Sequence, residues 1–422
     1  MGYRVPMGSL QLQHGAGRIG SLLAATVIAW GVAIVPAGAA PQDILTTFRR
    51  PAPIEFDFFG DHLSVVGDQL LVGVPFDDTG QIDTGAALLF DSITGEIVQT
   101  FLNPTPEKGD YYGKSVGSLP GRVVIGSPGE DAVFIRDPHT ADVLLLLEGF
   151  QSDGYFGHAV AAAGNHVLVG AFKEDRQANN SGIAYLFDAD SGDLQQTFLN
   201  PTPANEDYFA EVLAATTDFS LIAAKGDDTR GSNAGAVYLF DNASGALVHS
   251  IFNPDPTTDD QFGSSVAFVG ENKLLVGAPF ADVGASNNGA AYLFDVASGQ
   301  LLETFHAPEA RHFDRFGTSL TAVGNHVLIG APNNAGRVGE AFLFNQEGAL
   351  LATFRGLEQA DQFGAAVAAI GNRVVVGAPL GGPNSDRGGI VYLFAGVPEP
   401  TSLQVGAWCL FFWALPRRRN IR

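Results

Sequence analysis

The 422-residue sequence holds one cysteine, Cys409, close to its C-terminal end. That excludes a disulfide framework in the body of the chain and any paired CxxC metal site, so packing alone must hold the fold. Charge is sparse, at 16% of residues, and positive charge is sparser. There are 23 Lys and Arg against 45 Asp and Glu, a formal net charge of −22 at pH 7. Six of the basic residues (Arg4, Arg18, Arg417, Arg418, Arg419 and Arg422) lie before residue 41 or after residue 400, where no acidic residue occurs, so the body between them is more acidic still. No basic patch is available to meet phosphates, which argues against nucleic acid as a partner. The balance favours solubility, cation binding or a saline exterior. HExxH and P-loop patterns are missing too, so neither a zinc-protease helix nor a phosphate-binding loop is signalled.

Glycine is abundant, at 52 residues, as in a β-rich protein with many tight turns. The stretch Asp260–Phe305 carries four apolar runs, Gly263–Val269, Lys273–Pro279, Gly289–Asp295 and Leu301–Phe305. Turn residues separate them, so the stretch reads as a four-stranded antiparallel meander. Seven copies of it follow one another along the chain. An aromatic-Gly pair recurs roughly every 50 residues: Phe59-Gly60, Tyr112-Gly113, Phe156-Gly157, Phe262-Gly263, Phe316-Gly317 and Phe363-Gly364, with Phe209-Ala210 as the variant fourth copy. A second motif follows each pair, as LVGVP ending at Pro75, VIGSP at Pro128 and LVGAF at Phe172. It continues as IAAK at Lys225, then as LVGAP, LIGAP and VVGAP ending at Pro279, Pro332 and Pro379. Third strands of the GAALLFD type and fourth strands such as Ile97–Phe101 complete the units. In the second copy the third strand has decayed to AVFIRD.

The pairing of FG with GAP resembles the FG-GAP repeat, the blade unit of the integrin α-subunit propeller, over about residues 42–396. The resemblance implies an all-β fold, a seven-bladed β-propeller of four-stranded antiparallel blades. The nearly unbroken apolar character of runs such as KLLVG agrees, because a sheet packed between two neighbours is buried on both faces. The seventh copy ends at Tyr392–Val397 without a fourth strand. Ile44–Phe48 (ILTTF) matches the missing strand and precedes the first FG unit. An N-terminal strand completing the last blade would close the ring and remove two free sheet edges.

The two ends read as export devices. Residues 1–39 carry Arg4 and Arg18, an apolar run over Leu22–Val35 and the small residues Ala37-Gly38-Ala39, the pattern of a secretory signal peptide cleaved after Ala39, with Met7 as a second candidate start. A spanning anchor is the competing reading, and the run is short for it. At the far end, Val397-Pro398-Glu399-Pro400 precedes an apolar run, Val405–Pro416, and then Arg417, Arg418 and Arg419. Residues 397–422 thereby resemble the PEP-CTERM sorting signal of bacterial exopolysaccharide-associated proteins. That resemblance implies an exosortase-type processing enzyme as partner, transient membrane association with the arginines in the cytoplasm, and delivery to the cell surface or extracellular space. An ordinary C-terminal anchor is the alternative.

In a blade of this kind the 2–3 loops and the links between blades share one face of the disc. Here those segments are long and acidic: PFDDTGQIDTG, FKEDRQANNSG and KGDDTRGSNAG between strands, and NPTPEKGD, NPTPANED and NPDPTTDD between blades. That face is expected to carry the negative potential and the variable loops where binding usually lives. The calcium loop of the integrin family lies between strands one and two, where this chain has only tight turns such as Val269-Gly270-Glu271-Asn272, so those sites do not carry over. Asp77, Asp78, Asp227 and Asp228 remain as candidates for Ca²⁺, against the plainer reading of solvated acidic loops. Asp57, Asp110, Asp207, Asp260, Asp314 and Asp361 precede the aromatic-Gly pairs in nearly every copy, which suits a strand-entry cap better than a catalytic acid. The expected function is an exported, non-enzymatic binding or structural propeller that meets a polysaccharide, a surface protein or cations through its acidic face. A glycan-active hydrolase or lyase on the same scaffold is the alternative, and converging carboxylates with shifted pKa near the central channel would mark it.

Overall fold

The computed structural model describes residues 43–52, 55–333, 338–357, 361–382 and 387–396. The signal peptide assigned to residues 1–39 and the sorting tail assigned to 397–422 lie outside them. Among the described residues every regular element is a β-strand, 28 in all, arranged in seven four-stranded antiparallel sheets. The fold is the seven-bladed β-propeller that the repeat implies.

The blade's inside-out gradient of burial follows from its place in the ring. Second and third strands such as Lys273–Ala278 and Ala290–Asp295 are buried along nearly their whole length, because a neighbouring blade covers each face. Fourth strands lie at the rim, and in Leu301–Phe305 only Phe305 is fully covered. Seven apolar clusters form the core, each drawing side chains from two consecutive blades. The inner strands His62–Val66, Ser115–Leu119, Phe156–Ala163, Phe209–Ala215, Ser265–Val269, Ser319–Val323 and Ala366–Ile370 touch one another in turn, the last touching the first. They enclose the central channel.

The ring closes as the sequence predicts. Ile44–Phe48 pairs antiparallel with Ile390–Phe394, Phe48 opposite Val391, and so supplies the fourth strand of the last blade. Phe48 is fully buried, and its ring meets Phe90 of the first blade edge-on at 5.5 Å.

The two glycines of the repeat motif meet between blades. A Cβ on Gly277 would stand 2.1 Å from the carbonyl oxygen of Gly317 in the next blade. On Gly377 it would stand 1.9 Å from that of Gly60, the same contact across the closure. Only glycine permits this approach. Blade 4 departs from the rule with Ala223, and there a Cβ on the facing Gly263 would be 2.9 Å from that of Ala223.

The decayed third strand of blade 2 also has a physical account. Its FG position holds Tyr112 rather than Phe, and Arg136, at the end of the AVFIR strand, donates to the Tyr112 hydroxyl at 2.8 Å and to the Leu102 carbonyl at 3.0 Å. The extra hydroxyl and the extra guanidinium satisfy each other inside the core.

Candidate binding site at the channel mouth

The acidic residues singled out by the sequence fall into two groups. Those that precede the FG pair are buried caps. Asp110, Asp207 and Asp260 each accept from the linker asparagine seven residues earlier, Asn103, Asn200 and Asn253, at 2.8, 2.7 and 2.7 Å. Each also accepts a backbone N–H of the linker at 2.6 Å. In the first blade Arg50 stands where the others have asparagine, and it pairs with both Asp57 and Asp77. Of the four cation candidates, Asp77 and Asp227 are buried. Asp227 accepts from the Tyr238 hydroxyl at 2.7 Å, from Thr202 at 2.8 Å and from the Thr229 N–H at 2.8 Å. Asp78 and Asp228 are exposed, and each accepts one backbone N–H within its own loop, from Asp83 at 2.9 Å and Asn233 at 2.7 Å. The four are not brought together. Among the described residues no group of three or more His, Cys, Asp or Glu side chains is arranged to hold a metal. Much of the acidity of this face is therefore structural, with the carboxylates used as loop pins.

What the ring does bring together is the residue just after each FG pair. Asp61, Lys114, His158, Glu211, Ser264, Thr318 and Ala365 occupy that position in blades 1 to 7, and all line one cavity of about 420 Å³ at the loop-side end of the channel. The lining is lopsided. Blades 1 to 4 contribute ionisable groups, and blades 5 to 7 contribute small ones. His62 adds a second imidazole, with its Nε2 3.4 Å from Asp61 and 3.5 Å from the Lys114 ammonium. From the end of its strand, Lys225 reaches Glu211 at 2.6 Å, so the residue that breaks the GAP motif of blade 4 belongs to this cluster. In blades 3 and 4 the inner strand begins at the FG phenylalanine and carries a bulge between Phe156 and Ala159, and between Phe209 and Val212. Such bulges re-aim side chains, and here they set His158 and Glu211.

The channel wall strips water from these groups. Loss of hydration raises the Asp61 carboxyl above its ordinary value, against the pull of Lys114, although a third of the side chain remains open to channel space. Burial holds the His62 imidazole well below its usual value, and the charge of Lys114 adds to the effect. His158 is lowered in the same way, first by burial and then by Lys114, His62 and Lys225. Lys114, His62 and Lys225 all act on His158, so they share one electrostatic site. The His158 Nδ1 is shielded from solvent and has no hydrogen-bond partner.

Around this mouth runs an interrupted arc of aromatic rings. The residue before the FG aromatic has positive φ in every blade, at Phe58, Tyr111, Tyr155, Tyr208, Gln261, Arg315 and Gln362. A left-handed backbone under a bulky side chain is uncommon, and its sevenfold repetition makes it part of the turn architecture. The side chains it presents differ by blade: aromatic in blades 1 to 4, polar in 5 to 7. Phe76 links Phe58 and Tyr111 at 5.4 and 5.5 Å, and Phe172 links Tyr155 and Tyr208 at 5.6 and 5.9 Å. Phe172 also touches His158, with 4.5 Å between ring centres, and so joins the arc to the channel. The aromatic sector and the ionisable sector coincide.

A seven-bladed propeller with one chemically distinct sector at its channel mouth is the class of molecule this geometry defines. Within it, the chain carries FG-GAP repeats. The FG-GAP repeat model matches residues 147–187, 247–294 and 346–394. Each match begins in or just before the outer strand of one blade and ends on the third strand of the next, which is the same offset that lets Ile44–Phe48 close the ring. No curated protein matches the chain.

Proposed function

We propose that the protein is an exported propeller of the bacterial cell surface or extracellular matrix that binds polysaccharide at the loop-side mouth of its channel. The observation that carries this reading is the aromatic arc of blades 1 to 4. Its half-buried tyrosines stand beside a polar cavity and its buried Phe172 touches His158 of the lining, a combination that suits a ring-shaped polar ligand. The leader pattern of residues 1–39 and the PEP-CTERM-like tail, with its implied exosortase-type partner, support export. The likeness to integrin α-subunit blades supports binding through the loop face.

The test is retention of the full propeller on an oligosaccharide array. Tyr111→Ala and Tyr208→Ala are each expected to weaken binding about fivefold, from about 1 kcal/mol per aromatic contact. Leu302→Ala on the outer rim should leave binding unchanged. Equal binding by all three variants would remove the mouth as the site. A second reading, a glycan-active hydrolase or lyase, is favoured by one observation: Asp61, whose carboxyl is raised, and Glu211 line the same cavity as two histidines kept neutral by burial. Shortening of the same oligosaccharides, abolished in Asp61→Asn, is the outcome that would favour it.

A further inference from the structure

The chain has only five lysines, Lys108, Lys114, Lys173, Lys225 and Lys273, beside 45 acidic residues. Two of the five stand at the channel mouth and a third on the aromatic arc beside it. Lys114 lines the cavity and Lys225 acts on His158 within it. Lys173 directly follows Phe172, and its ammonium rests 3.6 Å from the centre of the Tyr155 ring. Among the described residues neither Lys114 nor Lys173 forms an ion pair. In so acidic a protein, Lys114 in the cavity and Lys173 on the aromatic arc beside it both stand without an ion pair and are held in reserve for a ligand.

The geometry points to an anionic sugar, its acidic group at Lys114 in the cavity and its ring against the Tyr155–Phe172–Tyr208 aromatics, where Lys173 lies. This rests on the polysaccharide reading above and narrows it to acidic polymers. Two carboxyl groups line the same cavity. Glu211 is paired with Lys225 at 2.6 Å. Asp61, already raised by loss of hydration, takes up a proton more readily as an anion arrives. Charges more than about 8 Å away are largely screened at physiological salt. His62 and His158 fit the same role. Both are neutral in the free protein because burial and the lysines disfavour their protonation, and an arriving anion offsets that cost, so binding takes up protons.

Matched pairs of uronic-acid oligosaccharides and their carboxyl-reduced counterparts, together with sulfated oligosaccharides, are titrated into the full propeller by calorimetry in two buffers of different ionisation heat. Acidic members should bind, carboxyl-reduced members should bind about tenfold or more weakly, and complex formation should take up protons. Lys114→Met and Lys173→Met should each lose about tenfold on the acidic member only, with unfolding midpoints unchanged. Binding of the sulfated arm alone would assign the anion as a sulfate ester rather than a carboxylate and would support the site. Equal affinity for acid and carboxyl-reduced sugar would overturn the inference while leaving polysaccharide binding intact. Binding of neither would overturn both.

Discussion

At the scale of single residues, glycine serves two separable purposes in this chain. Gly270, in the turn after the inner strand of blade 5, has φ of 62° with no heavy atom within 4 Å of where a Cβ would sit. Gly277, on the next strand, has an ordinary φ, but its Cβ would lie 2.1 Å from the Gly317 carbonyl oxygen and 2.3 Å from the Ser265 hydroxyl. The first glycine is needed for its conformation and the second for space. Gly270→Ala should therefore cost about 1 kcal/mol, the penalty of a left-handed L-residue. Gly277→Ala should cost about 3 kcal/mol, because the obstacle is another blade's backbone and cannot swing aside. Urea unfolding of the two variants separates the effects, and equal losses would show that close approach between blades is not what the GAP glycine secures.

At the scale of elements, the clasp strand Ile44–Phe48 is the point where the ring could fail. Phe48 lies in the cluster shared by blades 7 and 1, as Phe101 lies in the one shared by blades 1 and 2. If the clasp is a full member of the last blade, Phe48→Ala should cost about 3–5 kcal/mol, as burial in a packed core predicts, and match Phe101→Ala. A marginal loss at Phe48 alone, or a separate early transition, would show a closure weaker than the other blade contacts. Strand order, blade number and this closure were legible in the sequence because each repeat announces itself locally, by FG, GAP and a turn. The candidate site was not. Asp61, Lys114, His158 and Glu211 stand roughly 50 residues apart, match no motif, and meet only when seven inner strands curl round a channel. Reading the residue after each FG pair as one column across the seven copies is the signal that would have exposed them. The structural use of the loop carboxylates is hidden for a related reason. Composition counts Asp77, Glu174 and Asp227 as surface charge, whereas the fold spends them on Arg50, Tyr185 and Tyr238.

At the scale of the whole molecule, titratable groups with opposite signs shape the dependence of stability on pH. The aspartates of the 3–4 hairpins, such as Asp241 and Asp295, are lowered by hydrogen bonds from the turn. What they contribute is present above the unfolded value of 3.8 and is lost only as pH falls below it. The buried caps Asp110, Asp207, Asp260 and Asp314 are raised by desolvation, so their ionisation opposes folding at neutral pH and acid relieves it. Neither set acts near neutrality as the channel histidines do. An imidazole whose folded value lies below its unfolded 6.5 binds fewer protons when folded. Its contribution is complete above 6.5 and is lost as pH falls from there towards the folded value. Because the carboxylates contribute to wild type and variant alike, the histidines are best isolated as a difference. Melting temperatures of wild type and of the His62→Gln/His158→Gln variant, followed from pH 7.5 down to about 5, should diverge, with the wild type losing more stability on acidification. A difference that stays flat over that window would mean that the two imidazoles protonate freely in the folded ring, and that the channel mouth is wetter than its packing implies.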